Sequence, residues 1–275
     1  MLVLDDAGLY CARGGFHVDP VRPVERALFT GEHRKIEGCR ETYDATTKGE
    51  LALGDVRVSF HPSGFAPGSG QVRIQDGEIW VVTGDWKRAP DPLSPPFEPL
   101  RCDVLVTTAH FALPIFLWDE PAELARWLDA HESAVVFASP VLALRLQAEL
   151  GRPLRRHEEL EPLARHWEEL GARLPASDPG SKRLLAPLAA RARVAVRGAA
   201  RAIAAGSARI RGTRRRGNFD AGFALSEHAD WPATLRTIQE TGARRVLVRE
   251  GHAEPLARYL REQGLESEAL PGGRT

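Results

Sequence analysis

The segment EIWVVTGDWK, Glu78 to Lys87, runs from β-branched and aromatic residues straight into a Gly-Asp pair. Ile, Trp and Val in succession predict a strand over Glu78–Thr83. Asp76-Gly77, immediately upstream, is a hairpin signal that pairs this strand with a second run, Gln71–Ile74. A strand that ends in Gly84-Asp85 carries a carboxylate to a sheet edge, where ligands and metals are commonly held. Asp after Gly is also a plain turn former, so the pair has two readings.

Outward from this hairpin, the first part of the chain is β-rich. Ala27–Thr30, Val56–His61 and Asp103–Thr107 are further short runs of strand formers bounded by Gly, Pro or Asp. Arg88–Pro99 holds Pro90, Pro92, Pro95, Pro96 and Pro99, which excludes helix and central strand and predicts a surface loop. After Pro121 the period changes. Pro121–His131, Val141–Leu150, Glu158–Leu170, Lys182–Ala190, Pro232–Thr241 and Glu254–Gln263 read as helices, and Ala134–Ala138, Asp220–Ser226 and Arg245–Val248 as strands. The alternation predicts an α/β architecture with a helical insert in its middle.

With 275 residues, 43% of them hydrophobic, the chain has enough apolar material for one large domain or two small ones. A formal net charge of zero gives the whole chain no pull on nucleic acid or an anionic membrane, so a polyanion needs a local patch. Cys11, Cys39 and Cys102 are odd in number and widely spaced, which argues against a disulfide framework and a cysteine-zinc cluster and fits a reducing cytoplasm. The opening MLVLDDAGLY has acids where a signal peptide has bases, and no apolar run is long enough to span a bilayer, so no membrane partner is expected.

Three further motifs stand out. Ser226–Trp231, SEHADW, clusters Glu227, His228 and Asp230 at a strand-to-helix junction, where they suit metal ligation or proton transfer; Ser226 or Asp230 would equally well cap the next helix. His61–Gln71, HPSGFAPGSGQ, is a glycine-rich loop that lacks the ending of a P-loop. Arg191–Arg216 contains nine arginines and no acid, and reads as a phosphate-facing patch in which Arg211, Arg214, Arg215 and Arg216 are the densest part, with Lys87 a further basic candidate.

In order and spacing these pieces resemble the bacterial DNA-ligase-associated exonucleases of the metallo-β-lactamase/β-CASP superfamily, which also includes RNA 3′-end-processing nucleases. The matching stretches are Gly8–Thr30, His61–Ile74, Glu78–Pro92, Pro96–Thr107, Phe111–Phe116, Arg211–Gly217, Gly222–Leu235 and Val246–Leu265. The resemblance implies an αββα sandwich, here residues 1–118 and 222–275, and a β-CASP-like insert over 119–221. It implies two zinc ions that activate a hydroxide for attack on a phosphodiester.

The chain departs from that pattern at the metal positions. The family's HxHxDH signature falls on Gly31-Glu32-His33-Arg34-Lys35-Ile36, where only His33 is a ligand type. Phe65 replaces the histidine of the HPxGH loop, Thr108 an acid at a strand end, and Glu250 a histidine near the end. His33, Asp85 and Glu250 remain as metal positions, and Asp85 and His228 as catalytic ones. The charge of Lys35 opposes a divalent ion, and the segment Cys39–Leu51 is short, as though helices beside the site were trimmed. The expectation is a noncatalytic scaffold without a resident metal, which binds the DNA or RNA backbone or a repair partner: a DNA ligase, a helicase or an active nuclease paralogue. The alternative is a hydrolase with a rebuilt mononuclear zinc or manganese site.

Overall fold

In the computed structural model, which describes residues 1–90, 92–194 and 196–271, the chain begins with ten strands. They are β1 (Leu2–Leu4), β2 (Leu9–Cys11), β3 (Phe16–Val18), β4 (Arg26–Leu28), β5 (Glu41–Tyr43), β6 (Glu50–Leu53), β7 (Val56–Pro62), β8 (Gly70–Asp76), β9 (Glu78–Val82) and β10 (Val104–Thr108). Then follow α1 (Pro121–Asp129), β11 (Ala134–Ala138), α2 (Pro140–Leu150), β12 (Arg155–Arg156), α3 (Glu161–Glu169), β13 (Arg183–Pro187), β14 (Ala200–Ala204), α4 (Thr213–Arg216) and β15 (Ala221–Phe223). The last elements are α5 (Trp231–Thr241), β16 (Arg245–Arg249), α6 (Ala253–Glu262) and β17 (Glu266–Ala269). Asp91 in the proline-rich loop, Ala195 in the arginine run and residues 272–275 lie outside the described residues. The chain divides into two units, one of Met1–Pro90, Pro95–Leu113 and Trp231–Thr275, the other of Asp91–Ser94 and Pro114–Asp230. The fold is mixed α/β.

In the first unit, among the described residues, β1-β2-β3-β4-β5 form one sheet and β17-β16-β10-β9-β8-β7-β6 another. The β8–β9 hairpin sets Asp76 opposite Glu78, as the Asp-Gly pair predicts. β9 is parallel to β10, and β10 to β16, so their carboxyl ends lie side by side. Period-two alternation sorts the side chains. Trp80, Val82, Val104, Val106 and Leu247 share a core with Leu9, Phe16, Val18 and Leu28 of the five-stranded sheet. Val81, Leu105, Val246 and Val248 take the other face and pack with Ile238 of α5 and Leu256, Ala257 and Leu260 of α6. Burial of each large side chain contributes about 1.5–3 kcal/mol, and a strand apolar on both faces needs a layer on either side.

In this unit α5 and α6 are the α-helices among the described residues, and both pack on the seven-stranded sheet. An αββα sandwich implies helices outside the second sheet as well. Here β4 and β5 are joined by a segment whose one regular element is a single 3-10 turn, Glu32–Arg34, so the unit has the layers β, β and α.

The second unit is built on a parallel sheet, ordered β12-β13-β11-β14-β15 among the described residues. β11 is buried throughout, as an unbroken apolar run in a parallel sheet should be. α2 starts at Ser139, whose Oγ accepts from the Leu142 amide at 3.1 Å and donates to Glu227 at 2.6 Å, and it ends at Gly151 in the left-handed region. Ser139→Ala is expected to cost about 1 kcal/mol through the lost cap, read as a lower urea midpoint at constant slope.

Lys182–Ala190 is not the helix its composition predicts. Arg183–Pro187 pairs with β11, and only Leu188–Ala190 coils, as a 3-10 turn. Pro187 explains the change, because it cannot donate inside a helix and it biases the residue before it toward extended backbone. No helix of the described residues is long and apolar enough to cross a membrane.

Candidate functional site

The carboxyl ends of β9, β10 and β16 and the turn after β4 bring together a cluster of charges in the first unit. Asp85 is placed by Gly84, which lies in the left-handed region; a Cβ there would sit 2.2 Å from Thr30 Oγ1. Thr30 is itself held by Asp19, which accepts from its amide at 2.8 Å and its hydroxyl at 2.6 Å. Glu250 and Gly251, just past β16, both have positive φ, and a Cβ on Gly251 would lie 2.5 Å from the Ala109 carbonyl. That close approach is sealed by the Ala109 amide donating to Arg249 O at 3.0 Å and the His252 amide to Ala109 O at 2.8 Å. His110 thereby stands beside Asp85 and Glu250.

At the centre of the cluster is Arg34. Its Nη1 donates to Glu250 Oε1 at 2.7 Å and its Nη2 to Glu250 Oε2 at 3.0 Å and Asp85 Oδ1 at 3.1 Å. Its Nε lies 3.9 Å from Asp19. His110 Nε2 is 2.9 Å from Asp85 Oδ1 and 3.4 Å from Glu250 Oε2, and His33 Nε2 is 2.8 Å from Asp85 Oδ2. The side chains of Arg34, Asp85 and Glu250 are 8%, 7% and 3% exposed, so these are charge-assisted bonds in a low-dielectric setting and not surface pairs.

The protonation states follow from this packing. Burial raises the pKa of Glu250, but the bonds from His110 and Arg34 outweigh it and hold the carboxyl at about 2. Burial likewise works against the charged form of His110, and the bonds to Asp85 and Glu250 outweigh it, holding the imidazole at about 9. Arg34 is also raised despite its burial, through its bond to Glu250 and the charges of Asp85 and Asp19. Arg249, buried nearby, is lowered by desolvation. At neutral pH, Arg34 and protonated His110 therefore face an ionised Glu250.

The metal positions His33, Asp85 and Glu250 are thus brought together, with a guanidinium already on both carboxylates. A dication about 4 Å from that guanidinium meets a repulsion of about 8 kcal/mol at an effective dielectric of 20. With Arg34 in place, the three residues do not fit a divalent ion. Lys35, expected to supply the opposing charge, instead pairs with Glu32 at 2.6 Å and Asp44 at 2.7 Å. Phe65 is buried and its ring lies 5.5 Å from that of His33. Thr108 donates to the Gly84 carbonyl at 3.1 Å, bracing the turn before Asp85. Arg34 and His110 did not stand out in the sequence. The available signal for His110 was its place two residues beyond a buried strand, at the same sheet end as Asp85.

His228 belongs to the second unit, where its carbonyl accepts from Trp118 Nε1 at 2.9 Å and its amide donates to Ser226 Oγ at 3.1 Å. Ser226 thus closes a local turn ahead of α5. Lys87 is buried in the first unit. The arginine run is not one surface. β14 lies inside it with Ala202, Ile203 and Ala204 in the core, although alanine-rich sequence is a poor strand former. Arg201 lies over the Phe137 ring at 5.2 Å and Arg191 over Phe219 at 5.8 Å, while Arg193 pairs with Glu159 at 2.6 Å and Arg209 with Asp119 at 2.9 Å. Arg211, Arg214, Arg215 and Arg216 are exposed and have no ion-pair partner among the described residues; the first three line a shallow depression of about 500 Å³ with Ala208, Ile210 and Gly222.

No protein-family model matches the chain. It is similar to a probable DNA ligase of Opitutus terrae (strain DSM 11246 / JCM 15787 / PB90-1), 29% identical over 248 residues, in a match covering 80% of this chain and 24% of that protein. The chain therefore spans about a quarter of the length of this curated relative. In fold it is similar to a crystal structure of a protein of unknown function from Enterococcus faecalis V583, with a TM-score of 0.51 and 12% identity, covering 88% of this chain and 67% of the other.

Proposed function

We propose that this chain is a non-hydrolytic relative of the ligase-associated exonucleases of the metallo-β-lactamase/β-CASP superfamily, with residues 1–118 and 222–275 as the metallo-β-lactamase-like domain and 119–221 as the β-CASP-like insert. Its role is to bind the nucleic-acid backbone beside a repair enzyme. The observation that carries this reading is the group of exposed guanidiniums at Arg211, Arg214, Arg215 and Arg216 without carboxylate partners among the described residues. Guanidinium forks suit phosphate oxygens, and each contact releases condensed counterions. A match to one quarter of a longer protein named as a probable DNA ligase supports a DNA-related role and makes a ligase the first partner to test. The loss of hydrolysis is supported by the bonds of Arg34 to Asp85 and Glu250.

Binding of labelled single- and double-stranded DNA across a salt series tests the reading. Wild-type affinity is expected to fall steeply with salt, and the Arg214→Ala, Arg215→Ala, Arg216→Ala triple variant to lower the log–log slope by about 2–3. Salt-insensitive binding, or a triple variant identical to wild type, sinks the nucleic-acid reading. Phosphodiester cleavage with added zinc or manganese that disappears in Asp85→Asn would establish the hydrolase instead.

A further inference from the structure

We infer that the Arg34 guanidinium is a built-in substitute for a divalent cation, knitting the turn after β4 to the ends of β9 and β16, and that its removal converts the cluster into a cation site. The inference rests on the geometry of the first unit and is independent of the nucleic-acid reading. Asp85 and Glu250 converge on one cation from two strand ends, and the guanidinium bonds to both. His33 and His110 place ring nitrogens 2.8 Å and 2.9 Å from the same Asp85 carboxylate. The two carboxylates that hold the guanidinium, with His110 beside both and His33 on Asp85, offer donors of the kind that hold zinc or manganese once the centre is vacated. A guanidinium meets the same demand for positive charge with directional N–H donors, without being lost to a chelator. The cluster joins residues 51 and 216 positions apart in the chain, so the cation inside it is a tertiary cross-link.

The test compares metal content and melting of the full chain with those of Arg34 variants, each in chelator, zinc and manganese. Wild type is expected to carry substoichiometric metal and to melt at one temperature in all three buffers. Arg34→Ala is expected to melt about 10 °C lower in chelator, since it leaves buried carboxylates unpaired. It should regain at least about 5 °C with zinc or manganese at a hundredfold excess over Kd, and lose that gain when Asp85→Asn is added. Arg34→Lys should be more stable than Arg34→Met, because the charge and not the volume is what the cluster requires. The inference is overturned if wild type holds one equivalent of metal through Asp85, or if neither ion shifts Arg34→Ala beyond wild type. Should Arg34→Ala not fold, the Lys and Met variants decide, and equal stability of those two overturns it. DNA binding by the same samples separates the two readings, since intact salt-sensitive affinity in a protein that fails these tests leaves the arginine surface standing.

Discussion

Glu250→Ala is expected to lower the free energy of unfolding by about 3–5 kcal/mol, against scarcely any change for Arg258→Ala on the surface of α6. Glu250 is 3% exposed and accepts both forks of the Arg34 guanidinium, so its loss leaves a buried charge with fewer partners. Arg258 and Glu262, 76% and 58% exposed, exchange their pairing with water at little cost. The positive φ at residue 250 is common to both sequences, since Ala tolerates it no better than Glu, and drops out of the difference. Adding Arg34→Met to Glu250→Ala should recover part of the loss, because the pair then leaves together, and urea melts of the four members of the cycle give the coupling. Equal effects of Glu250→Ala and Arg258→Ala would show that the cluster does not hold the unit together.

The same cluster sets a pH profile. His110 titrates at about 9 in the folded chain against a usual 6.5, so its stabilisation is complete below 6.5 and is lost as pH rises through 9. Glu250 titrates at about 2 against a usual 4.5, so its contribution is complete above 4.5 and is lost as pH falls through 2. Each amounts to roughly 3 kcal/mol, and the cluster contributes most between pH 4.5 and 6.5. Urea midpoints should fall from pH 6 to pH 9.5, and His110→Gln should flatten that limb and also shrink the acid limb, because His110 helps to hold Glu250 low. An alkaline limb unchanged by His110→Gln would assign it to other groups.

Local sequence carries much of the architecture because its signals are local. The Asp76-Gly77 hairpin, the strand before Gly84-Asp85, the glycine stop of α2 and the amphipathic α5 and α6 are each specified by residues a few positions apart. Where tertiary pairing overrides composition, the sequence misleads: β13 reads as helix until Pro187 is weighed, and β14 hides in an arginine run because Ala200–Ala204 becomes a strand only between β11 and β15. The short N-terminal strands β1, β2 and β3 carry too few residues to show a period.

By itself the sequence determined that Asp85 ends a buried strand, that His33 keeps a ligand-type side chain after β4, and that the histidines and acids expected around it are replaced. What replaces them as the positive centre was decided by the tertiary structure. Lys35, next in the chain, turns to Glu32 and Asp44, while Arg34 turns inward to partners 51 and 216 positions away. Which of two adjacent cations is buried depends on where β9 and β16 deliver their carboxylates, and that is a property of strand register and not of the residues on either side.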